Sequence, residues 1–267
     1  MRKILNEELI KYKSKDVALL FSGGMDSLSL LLSCLDVGVR PHLYTFKLKN
    51  YESEDYKSSV KISKIFNLKL TVININEDLD LLLEDIKYII QTFKVKKKTQ
   101  IQCIYPFIHI LKEVKEEYIL SGLCADDLYG TSRKMQELGR KDLDEFNKKR
   151  LKIHNDITSS SYVYIKQLFE KEGFKFIAPY KSNKELVNYI MNKNFKDLHS
   201  PKQKNIMYES YKSELEKYKL YRRNSNLQCN SRIREFHDKL LKTYLNVNNN
   251  KSVIAIYNRL YKEIWGE

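Results

Sequence analysis

The sequence predicts an α/β fold: a doubly wound, mainly parallel, five-stranded sheet with helices on both faces and a helical C-terminal extension. Two observations carry this reading. Short apolar runs alternate with longer segments of helical periodicity from residue 17 to 179, and strands joined by crossover helices pair in parallel. From about residue 183 onward only helical periodicity remains, in polar, Tyr-rich segments.

VALLF (17–21) is the first strand, and MDSLSLLLSCLDVG reads as a helix ending near Gly38. HLYTFKL (42–48) is the second strand, followed by an amphipathic helix over roughly 54–66. KLTVINI (69–75) is the third, with helices expected over about 78–93 and 100–116. EYILSG (117–122) and FKFIAP (174–179), the latter closed by Pro179, complete the sheet. These elements divide the chain into an α/β domain, 1–182, and a helical extension, 183–267, packing on the same site. Apart from an NVNNN loop at 246–250, there is no low-complexity linker, and no repeat.

A length of 267 residues with 42 % hydrophobic and 12 % aromatic residues supports a sizeable core. No window approaches the roughly 18 to 20 unbroken apolar residues of a membrane span. The N-terminus, MRKILNEELIKYKSKD, has no apolar signal region, so a soluble cytoplasmic protein without a membrane partner is expected. Cys34, Cys103, Cys124 and Cys229 are far apart, with no C-x-x-C pair. That spacing suggests neither a zinc knuckle nor an iron–sulfur cluster, and reduced thiols packed as small hydrophobes are expected. His109, His154, His199 and His237 are isolated and read as surface or packing residues. The net charge of +14 invites a nucleic-acid partner. Lysine is nevertheless spread along the chain, and the one dense cluster, KVKKK (94–98), also reads as a solvated helix end. A phosphate-rich small substrate suits the charge equally.

In a doubly wound sheet, ligands bind beyond the carboxyl ends of the strands. Ser22-Gly23-Gly24 sits where the first strand turns into its helix. Glycines there let successive N–H groups converge, and the helix that follows adds its positive end, which makes an anion cradle. The pattern is neither a Walker A loop nor G-x-G-x-x-G. Asp26 beside a phosphate calls for an intervening Mg²⁺. The same residues also read as a tight turn with Asp26 or Ser27 as an ordinary N-cap. A second stretch, ILSGLCADDLYG (119–130), places Asp126 and Asp127 after a strand end. These carboxylates read either as helix-capping residues or as partners of Asp26 on one ion.

Ser-Gly-Gly-x-Asp-Ser resembles the loop of the N-type (PP-loop) ATP pyrophosphatases, which implies a HUP, or adenine nucleotide alpha hydrolase-like, fold. The stretch 119–130 resembles the L-S-G-E-G-[SA]-D-E-[LV]-F-G segment of the asparagine synthetase C-terminal (synthetase) domain. Ser121, Gly122, Ala125, Asp126 and Gly130 match, and Asp127 and Tyr129 are close replacements. KTQIQCIYPFIHILKEV (98–114), FIAPYKSNKELVNYIM (176–191) and KNIMYESYKSELEKYKLYRRN (204–224) extend the resemblance to about residues 15–230.

The resemblance implies an ATP-dependent amide ligase. It adenylates a small-molecule carboxylate, releasing pyrophosphate, and an amine or ammonia then displaces AMP. Ser22, Gly23, Gly24 and Ser27 would bind the phosphates of ATP, with Asp26 and Asp126 on Mg²⁺. Backbone atoms near Leu20, Lys47 and Gly122 would hold adenosine, and Lys204 matches a lysine near the phosphates. Two positions depart from the family. The Glu that handles the attacking nitrogen is Leu123, and the lysine that stabilises the transferring phosphoryl group falls on Asn224, where Arg222 or Arg223 is its expected substitute. An amino-terminal glutaminase is expected to be absent, so a separate glutaminase or an amine-carrying partner is implied. The alternatives are a tRNA-modifying PP-loop enzyme, lysidine-synthetase-like or thiolating, and a nucleotide-binding protein with reduced catalysis.

Overall fold

β1 (Val17–Leu20), β2 (His42–Leu48), β3 (Leu70–Ile75), β4 (Tyr118–Ser121) and β5 (Lys175–Ile177) form one sheet in the order β3-β2-β1-β4-β5. The structure, a computed structural model, describes residues 1–156, 161–223, 226–245 and 250–266. β1 pairs in parallel with β2 and β4, and β4 with β5. The bonds Leu43 N to Lys69 O and Lys49 N to Ile75 O, both 2.9 Å, advance along β2 and β3 together, so that pair is parallel as well. All four residues of β1 are buried, as expected of a central parallel strand covered on both faces. The chain order reverses at β1, with β2 on one side and β4 on the other. This is the switch point at which a doubly wound sheet opens a crevice.

The crossover helices fall close to where periodicity predicts them: Met25–Asp36, Glu54–Ile65 and Leu79–Phe93. The next helix, Lys98–Leu111, stops five residues short of its expected end. The KEVKEE run that follows has no continuous apolar face to hold a further turn. Residues 133–171, to which periodicity assigns no element, form the helices Arg133–Lys141, Leu143–Asn155 and Tyr162–Lys171. Beyond residue 183 the chain is helical as expected, from Lys184–Met191 to Asn250–Trp265. Of the expected 246–250 loop, 246–249 lie outside the described residues, and Asn250 opens the last helix.

The chain divides into two compact units, and residue 182 falls inside the first of them. Unit 1 comprises Met1–Tyr44, Ser58–Thr71 and Lys115–Asn224, and unit 2 comprises Thr45–Lys57, Val72–Val114 and Ser225–Glu267. In unit 1, Leu19, Leu30, Leu31, Leu120, Tyr129 and Tyr180 belong to one buried core. The helix Met25–Asp36 is tied into it by buried serine–tyrosine bonds, Ser29 to Tyr180 and Ser33 to Tyr211, both 2.5 Å. In unit 2, Ile86, Ile90, Ile104, Tyr105, Leu241 and Tyr257 are buried among the helices. Among the described residues, no helix is long and apolar enough to cross a membrane.

Two histidines are packing residues, as their isolation in the sequence suggests. His154 is buried in unit 1, where burial and then the nearby Lys181 charge push its imidazole down to about 4. His237 is buried in unit 2 with Nδ1 2.7 Å from the Tyr257 hydroxyl, and burial followed by the Lys98 charge takes it to about 3. Both lie below the unfolded value of about 6.5. Their contribution to stability is therefore complete above about pH 6.5 and is lost as pH falls toward about 4. Carboxylates titrate in the same window, so the comparison that isolates an imidazole is between wild type and His237→Gln. The urea midpoint of the variant is expected to fall less steeply over this range. Parallel pH profiles would contradict the assignment.

Candidate active site

The chain leaves β1 at Leu20, which lies in register with Tyr44 on one side and Ser121 on the other. The turn Ser22-Gly23-Gly24 follows and leads into the helix Met25–Asp36. Gly23 has φ +65°, and a Cβ there would lie 2.4 Å from Ser58 Oγ and 2.7 Å from Ser58 Cβ. Both the conformation and the space therefore require glycine.

Serines brace the bend. Ser22 N donates to Ser27 Oγ at 3.3 Å, and Gly24 N donates to Ser22 Oγ at 3.2 Å. Ser27 Oγ donates to Gly24 O at 3.2 Å. From the helix Glu54–Ile65, Ser58 Oγ donates to Gly23 O at 3.2 Å and Ser59 Oγ to Phe21 O at 3.0 Å. Ser27 is buried, so in this structure its hydroxyl shapes the bend from inside. Neither Asp26 nor Ser27 is the N-cap. That position is Gly24, with extended backbone and no side-chain cap bond. The helices that start after Asp78, Ser132, Asp142, Asn183 and Asn194 all carry a side-chain cap. An N-terminus without one, at the switch point of a sheet, is suited to an external anion.

β4 delivers the second half of the site. A Cβ on Gly122 would lie 2.9 Å from the Asp26 carbonyl carbon, Asp26 Cβ and Ser27 N. Only glycine lets the end of β4 pack against the first turn of the helix after β1. The short helix Ala125–Tyr129 follows, with Asp126 and Asp127 in its first turn and Cys124 at the N-cap. Asp126 and Asp26 converge on Lys204, whose side chain is 1 % exposed. The ammonium contacts Asp26 Oδ1 and lies 2.8 Å from Asp126 Oδ1, which also accepts from Thr131 Oγ1 at 2.7 Å. Lys204 sits in left-handed backbone at φ 59°, a conformation that costs energy in a residue other than glycine.

The electrostatics follow from this packing. Burial, reinforced by the Asp126 charge and opposed by Lys204, lifts the Asp26 carboxyl to about 6. Burial and then Asp126 do the same for Asp127. Burial works against the Lys204 ammonium, yet Asp126 and Asp26 together outweigh it and hold its pKa above the ordinary lysine value. At neutral pH the centre is thus an ammonium between two carboxylates.

The structure brings Ser22, Gly23, Gly24, Asp26, Ser27, Gly122, Asp126 and Lys204 together, and Leu20 ends the strand beneath them. Arg222 also reaches the bend, its Nη2 donating to Ser22 O at 3.3 Å, whereas Arg223 is exposed. Asn224 lies outside the described residues. Lys47 belongs to unit 2, where its ammonium is 3.6 Å from Glu52 and 4.9 Å from the centre of the Tyr56 ring. Leu123 is half-buried, with its N–H donating to Ser121 Oγ at 3.3 Å. Ser58, Ser59 and Thr131 escape sequence reasoning, because a serine or threonine on a helix or after a turn has no signature of its own. Among the described residues no disulfide joins the cysteines: Cys34 is buried, and Cys103, Cys124 and Cys229 are half-buried.

Among the described residues, no group of three or more His, Cys, Asp or Glu side chains gathers as a metal site. Mg²⁺ does not require one. It is commonly held by one or two carboxylates, with water and phosphate oxygens filling the remaining positions. Asp26 and Asp126 already face a common cation, so this donor pair fits magnesium.

Two solved structures show distant likeness. A predicted subunit of tRNA methyltransferase from Methanocaldococcus jannaschii aligns with 18 % identity over 79 % of this chain and 93 % of its own, with a TM-score of 0.37. The U34-tRNA thiolase NcsA from Methanococcus maripaludis, solved with its 4Fe-4S cluster, aligns with 17 % identity over 98 % of this chain and 78 % of its own, with a TM-score of 0.40. Among curated proteins, none matches. The sequence model of asparagine synthase matches residues 12–247, taking in the glycine bend, the Asp126 turn and Lys204. By that match, which spans most of the chain, the protein belongs to the asparagine synthase family.

Proposed function

We propose that the chain is an ATP-dependent amide ligase that forms AMP and pyrophosphate. The observation that carries this reading is the convergence of Asp26 and Asp126 on one cation beside an uncapped, glycine-built helix start. A carboxylate oxygen of the substrate attacks the α-phosphorus of ATP, and the bond to pyrophosphate breaks. An amine or ammonia then attacks the acyl carbon, loses a proton, and displaces AMP.

The chain's own residues have definable parts in this scheme. The bend at Ser22–Gly24 and the first turn after it bind the outer phosphates through backbone N–H groups and the helix dipole. Lys204 and Arg222 place positive charge where negative charge accumulates as pyrophosphate leaves. Asp26 and Asp126 would hold Mg²⁺, which when bound neutralises phosphate charge. Leucine at position 123 supplies no carboxylate for the attacking nitrogen, so that nitrogen is deprotonated by another group or arrives as the free base.

Exchange of radiolabelled pyrophosphate into ATP, run against a panel of carboxylates, tests the first half-reaction. Exchange is expected with the true acceptor and not without it. Folded protein that binds ATP but exchanges with no acceptor would refute the ligase reading. Asp126→Asn is expected to lower the exchange rate about a hundredfold or more, the usual scale for losing one electrostatic group at a reaction centre. Gly122→Ala, which forces β4 away from the Asp26 turn, is expected to weaken ATP binding in calorimetry while the circular dichroism stays native. Unchanged affinity in this variant would mean that the packing of the two strand ends does not shape the site.

The net charge of +14 favours a second reading, modification of tRNA. Under it, ATP turnover depends on added tRNA, and pyrophosphate exchange with small carboxylates is absent.

A further inference from the structure

Lys204 is a costly residue to place where it is. Its ammonium is almost wholly removed from water, its backbone is left-handed, and it contacts carboxylates from the first turns of the helices that follow β1 and β4. A lysine that only attracted phosphate from a distance would need neither full burial nor two carboxylate partners. The geometry instead makes the ammonium the cation of the site. The Asp26 side chain is 18 % exposed and the Asp126 side chain 48 % exposed, so the lysine does not enclose either residue completely. Two anions this close, beside Asp127, repel one another unless a positive charge lies between them.

We infer that Lys204 is a tethered counter-ion that competes with the divalent cation for Asp26 and Asp126, so that loading the site is an exchange of one cation for another. Without a divalent ion, the ammonium holds the ends of β1 and β4 together and keeps the bend formed. When the divalent ion arrives, the ammonium gives up at least one carboxylate, and the phosphates of ATP are the anions nearest to receive it. The exchange discourages metal from binding without nucleotide, because only the nucleotide offers the displaced ammonium a new partner. This inference rests on the ATP-site reading above and adds an order of events to it.

The test uses the full chain without nucleotide and Mn²⁺ as the probe, with free Mn²⁺ counted by electron paramagnetic resonance. Lys204→Met keeps an unbranched side chain, one atom shorter, and removes the charge. Mn²⁺ is expected to bind the variant at least about tenfold more tightly than wild type, the direction set by losing a unit charge within about 4 Å of both ligands. Equal or weaker binding would overturn the inference. Should Lys204→Met fail to fold without metal, refolding in millimolar Mn²⁺ would support the exchange, and failure to refold there would overturn it. A parallel titration of wild type with ATP and Mn²⁺ separates the two claims. No nucleotide binding there defeats the ATP-site reading itself, whereas nucleotide binding combined with unchanged Mn²⁺ affinity in the variant defeats only the exchange.

Discussion

A buried ammonium ties together parts of the chain that are far apart in sequence. Asp26 follows the first strand, Asp126 follows the fourth, and Lys204 comes from the helical region beyond the sheet. Burying the Lys204 ammonium carries a desolvation cost, and without its carboxylate partners that charge would be left uncompensated. The arrangement persists because the scaffold fixes its members. The register of β1 and β4 sets the separation of the two acidic turns, and the bare Gly122 allows them to touch. The sheet and the charge centre are therefore one construction: a shift in strand register would separate the carboxylates, and loss of the ammonium would drive them apart.

The glycine bend depends on the same construction. Ser58 and Ser59 hold it from the helix Glu54–Ile65, Ser27 holds it from within, and Arg222 reaches its Ser22 carbonyl from the C-terminal side. Each bond is worth about 1 kcal/mol net. Together they fix a backbone whose helix start has no cap of its own. Such preorganisation serves anion binding, since the donors need no rearrangement when the ligand arrives.

Much of this was legible in the sequence, because the features responsible are local. Apolar runs such as HLYTFKL mark strands by composition, and Ser-Gly-Gly-x-Asp-Ser marks a bend that few other residues can make. Asp26, Asp126 and Lys204 could each be named from the chain. Their mutual contact could not, because it depends on strand register and on the path of the chain over more than 170 positions. Likewise Ser58, Ser59 and Thr131 matter through where folding puts them. The division into two units was hidden for the same reason. Residues 45–57 and 72–114 join the C-terminal helices through long-range contacts, while the sequence shows only a change from alternating elements to helices near residue 183.

The central claim is that the bend at Ser22–Ser27 is the cradle for the outer phosphates of ATP. A crystal structure of the full chain with Mg²⁺ and an ATP analogue that resists cleavage between the α and β phosphates tests it most directly. The account predicts the β and γ phosphates against the backbone N–H groups of the bend, with Asp26 and Asp126 facing the metal. Phosphates bound elsewhere, with the bend unchanged and Lys204 still between both carboxylates, would contradict it.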